Sequence, residues 1–120
     1  MVYAAASPSL AVLEVLVHLD LSPDLLPDDY LLLAIDIPDD IEIKRLNPDE
    51  LPFDWTSPDG STARAVGEKW LDDGKSAVMV VPSVIVAEEN NVLINPRHSD
   101  AARISENSSR RFEFDFRLLP

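Results

Sequence analysis

Between Leu10 and Leu19 every side chain but two is apolar, and the two exceptions, Glu14 and His18, stand four residues apart. Ser7 is a good helix N-cap and Pro8 suits the first helical position, so Ser9 to Leu19 is expected to form a helix that is apolar on nearly every side. A helix of that kind is covered on most of its faces by other elements. This demand limits the fold more than any other feature of the chain. Glu14 and His18 share one stripe of the helix, with Leu10 a turn before them.

The other elements are read from periodicity. Val2 to Ala5 reads as the end of a buried strand, followed directly by the helix. Leu21 to Asp29 is a loop rich in Pro and Asp. Tyr30 to Ile37 is a continuous apolar run, the pattern of an interior strand, and Ile41 to Lys44 alternates like a strand with one wet face. An irregular stretch covers Asn47 to Gly60, with Leu51, Pro52 and Trp55 as anchors against the core. Thr62 to Asp73 reads as a helix ended by Gly74. Ala77 to Val81 is a buried strand closed by Pro82 and Ser83; Asn91 to Asn95 is another, and Pro96 to Arg103 is a loop with a short helix. Arg111 to Phe116 alternates strictly, a strand with three aromatics on one face. Strands and helices interleave, so the fold class is α/β or α+β, a mixed sheet with flanking helices in one domain.

Charge narrows the partners. The 120 residues carry a formal net charge of −12, with acids spread from Asp20 to Asp115. Nucleic-acid binding rests on Lys and Arg neutralising phosphates, so this surface suits a basic protein or a small molecule in a locally basic pocket. There is no cysteine, hence no disulfide framework and no thiol nucleophile. The two histidines make no recognisable metal-ligand spacing, so no metal is expected. Residues 1–4 lack the character of a signal peptide and the apolar stretch is too short to span a bilayer, which points to the cytoplasm and away from a membrane.

Several residues carry two readings each. The Glu14–His18 stripe is either the solvent edge of its helix or a cleft-facing pair. In the second case Glu14 can bind a ribose hydroxyl or stabilise positive charge, since a buried carboxylate without a partner is costly. Ser83, at a strand end, is a turn-capping serine or a functional group; no Gly-x-Ser-x-Gly elbow surrounds it. Asn90, Asn91, Asn95 and His98 form a substrate-edge loop or simply turn-forming positions. Trp55 and Trp70 suit a core. Gly60, Gly67 and Gly74 are isolated and make no phosphate loop.

Taken in order, the segments resemble the RES-domain family, the toxin half of a class of bacterial toxin–antitoxin pairs. The stretches that carry the resemblance are Val2-Tyr3-Ala4-Ala5, Leu10 through His18, Leu51-Pro52 with Trp55, and Gly67-Glu68-Lys69-Trp70-Leu71. Val81-Pro82-Ser83, Glu88 through His98 and Phe114-Asp115-Phe116-Arg117-Leu118 complete the set. The resemblance implies an ADP-ribosyltransferase-like fold and cleavage of the nicotinamide–ribose bond of NAD, the substrate, by hydrolysis or phosphorolysis. Some relatives transfer ADP-ribose to a protein instead. Carried over, Tyr3 is the active-site tyrosine, Glu14 the acidic residue and Ser83 the family's serine; these three and Asn95 are the expected NAD contacts. A helical, DNA-binding antitoxin is the implied protein partner, and the oligomeric state stays open, a homo-oligomer included.

One departure stands out. Family members carry, ahead of the tyrosine strand, a Gly-Arg-Trp-Asn-like segment whose arginine is the natural bidentate partner of the NAD diphosphate. Here Met1 immediately precedes Val2-Tyr3. The expectation is a single RES-like domain over residues 1–120 without its N-terminal segment, with Arg97 or Arg64 as substitutes for that arginine. The competing expectation is a truncated, inactive domain that retains only antitoxin binding.

Overall fold

The computed structural model of the chain describes residues 1–18 and 28–118. The expected loop at Leu21 to Asp29, apart from its last two residues, and the last residue of the first helix lie outside them. The strands are β1 (Val2–Ala5), β2 (Leu31–Asp36), β3 (Ile43–Arg45), β4 (Val78–Pro82), β5 (Asn90–Ile94) and β6 (Ser105–Arg111). The helices are α1 (Pro8–His18) and α2 (Ser61–Asp73), with 3-10 turns at Pro48–Glu50, Ser99–Arg103 and Phe116–Leu118. The result is a mixed α/β fold, as expected.

The larger sheet has the order β1-β5-β4-β3. β5 runs antiparallel to both neighbours, pairing Tyr3 with Leu93 and Ala5 with Asn91 on one side, Val81 with Asn91 on the other. β3 pairs parallel with β4, Ile43 beside Val78. Apolar residues without alternation make β4 an interior strand, and Val78, Met79 and Val80 are all buried. Successive side chains point to opposite faces and so feed two cores. Val78 and Val80 join Ile41 and Ala77, whereas Met79 packs with Trp70 and Leu93. Trp70 is therefore a core residue, its indole N–H donating to Ser76 Oγ at 3.0 Å. Tyr3, Leu93, Asn91 and Val81 are mutual cross-strand partners or two apart, so they share the Met79 face. That face carries the site.

Both helices begin, and α2 ends, close to expectation, for local reasons. The Ser7 hydroxyl accepts from Leu10 N–H at 3.1 Å and the Ser7 carbonyl accepts from Ala11 N–H, so Ser7 caps α1. Gly74 closes α2 in the left-handed region at φ 62°, its N–H donating to the Trp70 carbonyl.

Three expectations about burial and strand limits are corrected. α1 was expected to be covered on most faces, yet Leu10 and Glu14 are its only buried residues and Val17 is 60% exposed. The described neighbours of α1 lie along one stripe, and the acid on that stripe is buried while leucine and valine on others are not. β1 is an edge strand with Val2 and Tyr3 exposed, so it is not buried. Tyr30 to Ile37 does not supply an interior strand: among the described residues β2 pairs only with β6 in a separate ribbon, leaving Leu31, Leu33 and Ile35 exposed.

The last strand is also displaced. β6 ends at Arg111, where the alternating run was expected to begin. Phe112 continues the ladder by one bond to the Tyr30 carbonyl, then Phe114 stacks edge-on against both Phe112 and Tyr30, each at 5.1 Å. Aromatic edge-to-face contacts win over strand alternation here, and Phe116 is exposed in a 3-10 turn.

The unequal burial predicts unequal costs of truncation. Met79→Ala should destabilise the chain by about 2–5 kcal/mol, as for other fully buried side chains, and Leu33→Ser by less than about 1 kcal/mol. Denaturant unfolding of the two variants measures both.

Candidate active site

The site gathers residues from four elements. Glu14 comes from the second turn of α1, Tyr3 from β1, Ser83 from the residue after β4 and Asn91 from β5. The β4–β5 connection folds back on itself, Ser83 N–H donating to the Glu89 carbonyl at 2.9 Å. The start of α1 is tied to that connection: Ser7 Oγ donates to Glu89 Oε1 at 2.6 Å. Seven residues on, about 10 Å along a helix, Glu14 makes the second tie.

Glu14 is 8% exposed, so its carboxylate requires partners. It has them on one oxygen. Asn91 Nδ2 donates to Oε1 at 2.9 Å, and Ser83 Oγ donates to the same oxygen at 3.2 Å. The first distance is the most favoured one for N–H···O; the second is long for a hydroxyl donor, so Asn91 holds the carboxylate more firmly. Oε2 lies 3.8 Å from Nε2 of the exposed His18.

Ser83 is 1% exposed and its hydroxyl is saturated. Besides donating to Glu14, it accepts from Ile85 N–H at 3.0 Å and Val86 N–H at 3.1 Å, one donor and two lone pairs all engaged. The turn-capping reading and the functional reading of this serine thus describe one geometry: it caps its turn and spends its proton on Glu14.

Beside this cluster opens a cleft of about 360 Å³, lined among others by Tyr3, Ala5, Glu14, Val15, His18 and Tyr30. The stripe of Glu14 and His18 therefore faces a cleft. A smaller cavity of about 80 Å³ lies against Trp55, Leu51, Met79 and Leu93, and Tyr3 borders both spaces. Burial, and second the negative charge of Glu14, push the Tyr3 phenol up to about 12. Tyr3 is thus a neutral hydroxyl at physiological pH, able to donate.

Asn95 and His98 are elsewhere. Asn95 sits beyond the opposite end of β5, about 13 Å along the strand from Asn91, its amide bonded to the Leu71 carbonyl and to Arg97 N–H. His98 Nδ1 accepts from Asp100 N–H and caps the 3-10 turn. Neither Arg64 nor Arg97 lines the cleft. Among the described residues no group of three His, Cys, Asp or Glu side chains is placed to hold a metal ion. Asn91 is the residue that the sequence left open between a substrate-edge loop and a turn-forming position. The strand expected over Asn91 to Asn95 was the available signal.

A mixed sheet whose edge tyrosine and a buried helical glutamate line one cleft, with a strand-end serine bonded behind the glutamate, defines a class, and comparison with known proteins names it. The RES domain matches residues 1–116, and the chain belongs to the RES-domain family. It is 46% identical over 121 aligned residues to a protein of Photorhabdus laumondii named Toxin Res, covering 98% of this chain and 75% of that one. A Yersinia enterocolitica protein of the same name is 40% identical, with 98% and 76% covered. A Sphingobium protein named Prs ADP-ribosylating toxin is 39% identical, with 98% and 74% covered.

The Tyr3–Glu14 coupling has a spectroscopic consequence. Absorbance titration near 295 nm should show one tyrosine ionising near 12, and Glu14→Gln should bring that ionisation down while leaving it above 10, because burial is the larger cause. The unfolded chain releases this proton at the ordinary 10.0. Stability is therefore lost as pH rises from 10 towards 12, where the unfolded state binds fewer protons than the native state.

Proposed function

We propose that this chain is a RES toxin domain that binds NAD at the Glu14 cleft and breaks its nicotinamide–ribose bond, water or phosphate taking the ribosyl carbon. The observation that carries this reading is the Glu14 carboxylate itself. It is buried, held through Oε1, and borders an open cleft into which a dry, prearranged negative charge can act. The relatives named as toxins, and the one named as an ADP-ribosylating toxin, support the reading, because ADP-ribosylation as a reaction class breaks this same bond.

The chemistry suits the residues. As the bond lengthens, the nicotinamide ring loses its positive charge and leaves neutral, while C1′ of the ribose acquires oxocarbenium character. A carboxylate beside C1′ is stabilising in that transition state more than in the ground state. Tyr3, a neutral donor at the mouth, can hold a ribose hydroxyl or lie against the nicotinamide ring. A cleft of about 360 Å³ is at the small end for ligand sites, ~300–1,000 Å³. It suits the reacting nicotinamide and ribose, with the diphosphate and adenosine outside. Ser83 acts through Glu14 in this scheme, since its hydroxyl has no capacity left for a ligand. No covalent enzyme intermediate is required.

No helix among the described residues is long and apolar enough to cross a membrane, in keeping with a toxin acting on NAD in the cytoplasm. A helical, DNA-binding antitoxin that covers the cleft completes the proposal.

The test is nicotinamide release from NAD, followed by chromatography. Glu14→Gln keeps the shape and should lower kcat by at least about 100-fold, the size of effect seen when one prearranged electrostatic group is removed, with the thermal midpoint nearly unchanged. Turnover by Glu14→Gln at the wild-type rate would dismiss the assignment.

A further inference from the structure

We propose that Asn91 is the positioning residue of this site: it clamps Oε1 of Glu14 so that Oε2 is the oxygen presented to the cleft. The inference rests on the role of Glu14 proposed above and adds how that carboxylate is aimed.

Asn91 is 1% exposed and lies in the middle of the sheet, paired with Ala5 on one side and Val81 on the other. Leu93, two residues along on the same face, shows what a packing residue looks like at such a place. Asn91 is instead an amide, and half of that amide is unused: Oδ1 is buried without a hydrogen-bond partner among the described residues. An orphaned buried oxygen costs free energy that an apolar side chain of equal size would avoid. What the amide supplies in exchange is its N–H, 2.9 Å from Glu14 Oε1.

The orientation of the amide follows from the same contact. Turned over, Oδ1 would face a carboxylate oxygen, acceptor against acceptor, so the charge of Glu14 selects the donor. With Ser83 adding the longer second bond to Oε1, that oxygen is taken. Oε2 has no hydrogen bond among the described residues and lies on the side of His18, which itself lines the cleft. Among the described residues, the titratable groups that line the cleft with Glu14 are Tyr3 from β1, His18 on its own helix and Tyr30. None of them donates to Oε1.

Two variants of the full chain test this with NAD as the probe. Asn91→Asp keeps the shape and replaces the donor with a second carboxylate; Asn91→Leu removes both polar atoms. Each should lower kcat for nicotinamide release by at least about tenfold with KM within about threefold, the signature of an interaction that matters in the transition state. Asn91→Asp should also move the acidic limb of the rate profile to higher pH, because two adjoining carboxylates resist ionising together. Asn91→Leu adds no charge, and it should move the limb the same way because the donor that favours the ionised carboxylate is gone; a merely structural asparagine would not move it there. If Asn91→Leu fails to fold, the isosteric Asn91→Asp decides. Wild-type kcat and pH profile in Asn91→Asp, or a rise in KM alone, overturns the inference. Should Glu14→Gln abolish release while Asn91→Asp leaves it intact, only the clamp fails. Should the wild type release no nicotinamide, the NAD reading fails, and the clamp is still read by 15N NMR. Slowly exchanging Asn91 side-chain protons that shift on Glu14→Gln support it, and exchange at the solvent rate overturns it.

Discussion

A carboxylate taken out of water has to be repaid by donors, and in this chain that requirement ties the structure together. Glu14 is buried on the one stripe of α1 that the fold covers, and its donors arrive from residues 83 and 91, far along the chain. The carboxylate therefore closes the helix onto the turn that joins β4 to β5. A second tie, from the Ser7 hydroxyl to Glu89, closes the helix onto the same turn two helical turns earlier. These polar ties and the fully buried Leu10 hold one stripe of α1 in place. Leu13 and Val17 stay exposed while Glu14 is inside.

This arrangement explains why the site is stiff on one side and open on the other. Ser83 spends all its hydrogen-bonding capacity within the protein, and Asn91 spends half and wastes the rest. Both serve Oε1. Tyr3, on an edge strand, stays half in solvent and borders two cavities. A held carboxylate and a half-exposed phenol thus share one opening.

The legible parts of the chain were those governed by local physics. Ser7 and Pro8 announce the start of α1, Gly74 the end of α2, and the valine-rich run before Ser83 an interior strand; each depends only on near neighbours. What failed was inference from pattern to partner. The apolar run of β2 resembles a buried strand, but burial depends on whether another layer exists, and β6 offers only a polar ribbon of Ser, Glu, Asn and Arg. The alternation of Phe112 and Phe114 was real, yet their rings found Tyr30 and each other instead of a sheet face. β6 itself carried no strand period to detect.

The candidate site divides along the same line. From the sequence alone came the family, one lone acid in a greasy helix, a serine at a strand end and a tyrosine before the helix. It could not choose between a solvent-facing and a cleft-facing Glu14, because helical periodicity gives an azimuth without saying what lies in that direction. Nor could it separate Asn91 from Asn95, four residues apart with the same side chain. Only the tertiary structure did so: strand register sets Asn91 beneath Glu14 and sends Asn95 past the far end of β5, to the neighbourhood of Leu71. Hydrogen bonds act over three ångströms, and which groups come that close is settled by how distant segments pack.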